Sequence, residues 1–372
     1  MSGRLRVVVS GMLAGVPAQG GAAWAVLQYV LGLRRLGHDV TFVEPVAGVR
    51  PASARYLAAL ARRFGLEGRA GLLDTSTGAT VGLDRASLRR AADGADLLLN
   101  LSGVLADEAL LGRIGLRAFV DLDPGFTQLW CAAEGLDLGL DRHDRFVTIG
   151  TRIGSPGCPV PTCGRTWVTT LQPVVLEHWP VAGRARDGAL STVGHWRSYG
   201  SIEHDGVHYG QRAHTLRRFL ALPDRSGARV TLALGIHPDE RADLDALAGH
   251  GWGLVDPATV AGTPEAYARF VRGSWAELNL AKSGYAASAC GWFSDRSICY
   301  LASGRPVIAL DTGFAPAVPA GDGVLAVTGI DDAVAAVEDL RSRYAAHRAA
   351  ARALAEDLFA SDRVLQRLLA CL

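Results

Sequence analysis

Twice along this chain a short apolar run ends in a polar or glycine-rich loop, yields to a helical pattern, and returns to another apolar run. In the first half Arg4–Ser10 is β-branched and apolar, and Gly11–Gly21 is a glycine-rich loop. Trp24–Leu36 then carries apolar residues at helical spacing, and Val40–Val43 is apolar again, closed by Glu44-Pro45. Strand, loop, helix and strand in that order form a βαβ crossover, and crossovers build parallel sheets covered by helices. Asp96–Leu101 and Ala118–Asp121 continue the pattern. The second half restarts it. Strands are predicted at Ser191–Gly194, Arg229–Leu234, Trp252–Val255, Ala276–Ala281 and Pro306–Leu310. Helices are predicted at Gln211–Leu222, Pro238–Ala248, Pro264–Arg272 and Asp295–Ser303. From Ile330 to Leu372 the pattern is mostly helical, with a break near Asp362.

The expected fold class is α/β: two Rossmann-like, doubly wound parallel-sheet domains facing a cleft. One core stops growing near ~250–300 residues, and this chain has 372. The Pro/Gly/Cys-rich stretch 148–180 reads as the connection, with Trp179-Pro180 as a hinge. The expected division is 1–178, 179–360, and a terminal helix at 361–372 crossing back to the first domain.

Hydrophobic residues make up 49% and charged residues 20%, as in well-packed globular proteins. The net charge is +1 without a basic block, so nucleic acid is excluded as an expected partner. Neither a signal-peptide core nor an apolar run of membrane-spanning length is visible, so the expectation is a cytoplasmic protein without an integral membrane segment. Six scattered cysteines should then be reduced thiols. Cys158 and Cys163 have no second pair nearby, so neither a metal site nor a resident cofactor is expected.

Lysine occurs once, at Lys282. Its compact ammonium meets one oxygen end-on, unlike the planar fork of arginine. Lys282-Ser283-Gly284-Tyr285 leaves the buried strand Ala276–Ala281, and open α/β sheets bind ligands beyond the carboxyl ends of their strands. Gly291–Ser294 reads as the turn before a helix, placing Ser294, Asp295 and Arg296 in its cap and first turn. A phosphate there would meet backbone N–H groups and a guanidinium. Gly20 and Gly21 precede the first helix, where a backbone can approach a ligand closely. Asp121-Leu-Asp123 follows a strand, and Asp121 and Asp123 are expected to line the acceptor side, either one a candidate base or hydroxyl acceptor. Plainer readings stay open: Ser294 or Asp295 as a simple cap, Arg296 paired with Asp295 or Glu277, and Asp123-Pro124-Gly125 as a turn.

Gly20-Gly21 ahead of a helix, followed by Leu36-Gly-His-Asp-Val-Thr-Phe-Val43, resembles the N-terminal half of GT-B glycosyltransferases of the family-4 type. Ala302-Ser-Gly-Arg-Pro-Val-Ile-Ala309 is similar to the C-terminal signature of that family, and Phe293-Ser-Asp-Arg296 to its spore-maturation-type branch. The resemblance spans most of the chain. It implies an acceptor on the first domain and a nucleotide-diphosphate sugar on the second, with retaining transfer and no bound metal. Sugar donor and small-molecule or glycan acceptor are then the expected partners. Carried over by position, Arg212 matches the basic residue that holds the donor pyrophosphate, and Arg197 is a second candidate. Lys282, Arg212 and Asp123 would thus form the catalytic set. The two glutamates of the family fall at Gly291 and Cys299, neither of them acidic. That departure leaves two alternatives: a nucleotide-sugar 2-epimerase, or a binding protein without turnover.

Overall fold

The alternating runs assemble into two sheets in a computed structural model, which describes residues 3–183 and 188–372. The first sheet contains β1 (Arg6–Ser10), β2 (Asp39–Val46), β3 (Ala70–Asp74), β4 (Thr80–Gly82), β5 (Leu97–Leu101), β6 (Arg117–Asp121), β7 (Arg145–Thr148) and β8 (Trp167–Thr169). Their order is β4-β3-β2-β1-β5-β6-β7-β8. All neighbours are parallel except β3 and β4. A parallel sheet with helices on both faces buries both sides of its strands; every residue of β5, Leu-Leu-Leu-Asn-Leu, is buried.

The second half supplies β9 (Leu190–His195), the hairpin β10 (Ile202–His204) and β11 (Val207–Tyr209), β12 (Val230–Gly235), β13 (Gly253–Leu254), β14 (Ala276–Asn279), β15 (Val307–Leu310) and β16 (Val324–Val327). Apart from the hairpin, these form a parallel sheet ordered β13-β12-β9-β14-β15-β16. In each sheet the chain first builds outward on one side and then crosses to the other. The reversal lies between β1 and β5 in the first sheet and between β9 and β14 in the second. Crevices at such reversals are where α/β sheets take ligands.

Several local expectations change. β2 runs through Pro45, because its pairing with β1 ends at Ser10–Val43 and Pro45 has a neighbour only in β3. A proline tolerates that one-sided position. The stretch read as a connection contains β8, the edge of the first sheet. Gln211–Leu222 divides into two short helices, Arg212–Arg217 and Leu222–Ser226. Trp179 is fully buried, with its ring 5.0 Å from Trp24 and 6.0 Å from Tyr267, so this segment is packed between the halves. The last helix, Ser361–Cys371, lies on the first helix, Gly20–Arg35. A side chain at Gly32 would collide with Leu365 and Ser361. No described helix is long and apolar enough to cross a membrane.

Candidate active site

The loop after β1 is pinned by one carboxylate. Glu44 accepts the backbone N–H groups of Leu13 and Ala14 at 3.0 and 2.6 Å and that of Gly15 at 2.9 Å. The loop then runs into the first helix at Gly20, which presses against the backbone of Thr263; any Cβ at Gly20 would overlap the Thr263 carbonyl. Trp24 Nε1 donates to the Pro264 carbonyl at 2.9 Å in the same contact. Glycine here permits a close approach between the two halves. Beside it opens a cleft of about 440 Å³. Its walls include Gly20 and Gly21 from the first half, and Gly194, His195, Asp295 and Arg296 from the second. Gly194 and His195 end β9, so the cleft lies at the reversal of the second sheet.

Behind the cleft lie two guanidiniums and one carboxylate. Glu277, on β14, is fully buried and accepts from Arg296 Nε at 2.6 Å. Arg296 Nη2 donates to Asn279 Oδ1 at 2.9 Å. Arg212 is 8% exposed, and its Nη1 lies where a side chain at Gly194 would stand. Arg212 Nε and Nη1 are buried without a hydrogen-bond partner, as is Glu277 Oε2. Burial pushes the Arg212 guanidinium down to about 9, and the neighbouring Arg296 charge pushes the same way. It remains protonated at neutral pH. Burial also works against Arg296, but Glu277, Tyr267 and Asp295 together outweigh it and the net direction is up. Buried donors without partners are costly, so the Arg212 fork is short of an acceptor.

Lys282 lies in a second cluster. Its ammonium is 3.7 Å from the ring centre of Tyr199, 5.0 Å from Phe126 and 5.4 Å from Tyr285. It donates to the Tyr199 hydroxyl and lies 3.5 Å from Asp123 Oδ2. Tyr199 in turn donates to Asp123 at 2.6 Å, and Tyr285 donates to the other Asp123 oxygen. Burial pushes Lys282 down to about 8, with Asp123 opposing. Asp123 and Phe126 come from the first half, Tyr199, Lys282 and Tyr285 from the second, so the cluster joins the halves. His195 connects the two clusters electrostatically: burial lowers it, and then Arg212 and Lys282 lower it further.

The expected site residues are therefore divided. Gly20, Gly21, Asp295 and Arg296 line the cleft, and Arg212 stands directly behind it. Ser294 caps the helix Asp295–Ala302, accepting from the Arg296 N–H at 3.2 Å. Arg296 takes the alternative pairing with Glu277. Arg197 forms an ion pair with Glu240 and is not among the cleft residues. Gly284 sits under Phe126, where any side chain would collide with the ring, and Ser283 Oγ is buried without a partner. Tyr285 stacks on Trp292 at 4.1 Å. Asp121 does not line an acceptor surface. It is fully buried and accepts from Thr127, Gln128, Thr148 and the Asp123 N–H. Cys299 is buried on that helix, and a side chain at Gly291 would strike Thr151.

Sequence reasoning missed Tyr199, Phe126 and Glu44. The first two read as ordinary core aromatics, and a lone acid at a strand end carries no signal. Glu277 and Asn279 did carry one: two polar residues two apart in an apolar strand share a face.

No family model matches this sequence, and no curated protein matches it. Solved structures do. An alpha-glucosyltransferase in complex with UDP-glucose and DNA containing an abasic site matches with TM-score 0.64 at 11% identity, over 99% of each chain. Anabaena HepE in complex with UDP and glucose gives 0.60 at 10%, again over 99% of each. AviGT4, a glycosyltransferase involved in avilamycin A biosynthesis, gives 0.53 at 15%, over 99% of this chain and 96% of that one. The fold is GT-B. One expectation is corrected by these matches: a net charge near zero is no ground for excluding nucleic acid as a partner. Several structures sharing this fold along almost the whole chain are complexes with DNA. Net charge averages over a surface, whereas phosphate contacts need only a local group of donors.

Proposed function

We propose that the protein is a glycosyltransferase moving a sugar from a nucleotide-diphosphate sugar, with the diphosphate held against Arg212 and Arg296. The observation that carries this reading is the buried Arg212 guanidinium, with Nε and Nη1 unpartnered behind a cleft at a sheet reversal. Charge growing on the leaving diphosphate would be met by donors already in place, which is where preorganised electrostatics lowers a barrier most. Lys282 would add an end-on contact. Asp123, taken up by two tyrosines and Lys282, then holds the lysine rather than acting as a free base. With no acid or histidine on the loop after β1, the reading is retaining transfer in which the leaving phosphate accepts the acceptor proton. It also places the acceptor on the first domain, residues 1–178, and the donor on the second, residues 179–360. Six unpaired thiols support a reducing, cytoplasmic setting.

A thermal-shift panel tests the reading. A cognate nucleotide sugar and its free nucleoside diphosphate should raise the melting temperature, since a ligand of the folded state stabilises by mass action. The bare nucleoside should do much less. Turnover should survive EDTA. The acceptor panel should include glycans, small molecules and duplex DNA. A chain that no nucleotide stabilises would not be a sugar-nucleotide enzyme.

A further inference from the structure

The carboxylate behind the two guanidiniums does more than neutralise one of them. We infer that Glu277 is a positioning residue: together with Asn279 it fixes the Arg296 guanidinium in the cleft wall, where a diphosphate would meet it. This rests on the donor reading and goes one step beyond it.

Glu277 and Asn279 project from the same face of β14, and each holds a different nitrogen of Arg296. Asn279 is itself oriented, because its amide donates to Ser297 Oγ at 3.0 Å. The fork is therefore clamped at two points, at Nε by Glu277 and at Nη2 by Asn279. Arg212 has no such anchor; Glu277 acts on it through charge alone. Without that charge two buried guanidiniums would repel each other across the cleft wall. Loss of the Glu277 contact would leave the Arg296 fork held at Nη2 alone.

The experiment is calorimetric titration of the full chain with inorganic pyrophosphate, UDP and uridine. Glu277→Gln keeps the shape and removes the charge. It should weaken pyrophosphate and UDP by roughly ten- to a hundred-fold, the scale on which losing a partner that orients a metal-binding side chain acts. Uridine affinity should stay unchanged, and Glu277→Asp should recover part of the loss. Should Glu277→Gln fail to fold, Asn279→Ala and Glu277→Asp carry the test: both should lower UDP affinity relative to uridine. Wild-type affinity for pyrophosphate in these variants overturns the inference and leaves the donor reading standing. Equal losses of UDP and uridine with a lowered melting temperature also overturn it, since they mark a purely structural carboxylate. Wild-type protein that binds neither pyrophosphate nor UDP overturns the donor reading and this inference with it.

Discussion

Lys282 occupies a socket made for an ammonium, with three aromatic rings around it and Asp123 beyond. A guanidinium is longer and planar, and cannot meet one carboxylate end-on inside that ring of side chains. Lys282→Arg should therefore fail to restore what Lys282→Ala loses, on the order of 2–4 kcal/mol of transition-state stabilisation. Steady-state kinetics on the two variants checks this. With Lys282 pushed down to about 8 by burial, kcat/KM should fall as pH rises through that value. Asp123→Asn, which removes the opposing charge, should move the alkaline limb to lower pH. The same shift acts on stability: above about 8 the unfolded chain holds the lysine proton and the folded one does not, so this group's contribution rises with pH up to 10.5. The arginines should separate. Arg296→Ala strands a buried carboxylate and should cost about 3–5 kcal/mol in denaturant unfolding, whereas Arg212 Nε and Nη1 have no hydrogen-bond partner among the described residues, so Arg212→Ala should leave the melting temperature near wild type. Of these residues, Lys282 was visible in the sequence by its rarity, and Arg212 only through the family resemblance, as the basic residue on the first helix of the second half. The socket around Lys282 was not visible, because Phe126, Tyr199 and Tyr285 are brought together from three separate segments.

At the scale of elements, the site depends on how closely two helical segments meet. The first helix begins at Gly20 against Thr263, whose hydroxyl caps the next contacting helix, Pro264–Gly273, by accepting from Ala266 N–H at 3.2 Å. Gly20→Ala places a methyl group on the Thr263 carbonyl, and neither backbone has room to yield. The substitution should cost about 1–3 kcal/mol, as overpacking does, measured as a lower melting temperature, with nucleotide affinity falling because the cleft wall moves. The main βαβ pattern was legible because parallel strands buried on both faces leave nearly continuous apolar runs. β8, with three residues, and the hairpin of β10 and β11 were not. Strands that short have no period to read, and only their pairing with a neighbour defines them.

The whole molecule is two parallel sheets whose reversal points face each other, and contacts between the halves surround the cleft. Asp123 is one of several ties, joining one half to Tyr199, Tyr285 and Lys282 of the other, beside Trp24 with Pro264, Thr151 with Gly291 and Gln172 with Phe293. Because those other ties remain, Asp123→Asn should leave the radius of gyration in solution scattering unchanged; a larger radius would make Asp123 the tie that holds the halves together. The two-domain outline was readable from length and repetition, but the exclusion of nucleic acid was not sound, since net charge says nothing about where donors gather. The claim on which the rest depends is that the cleft holds a nucleoside diphosphate through Arg212. Titrating UDP and uridine into wild-type protein and Arg212→Ala tests it most directly. The account predicts that UDP binds the wild type and that the variant loses about 1.5–3 kcal/mol, the worth of a charge-assisted contact, with uridine unaffected. UDP bound equally well by both proteins would contradict it.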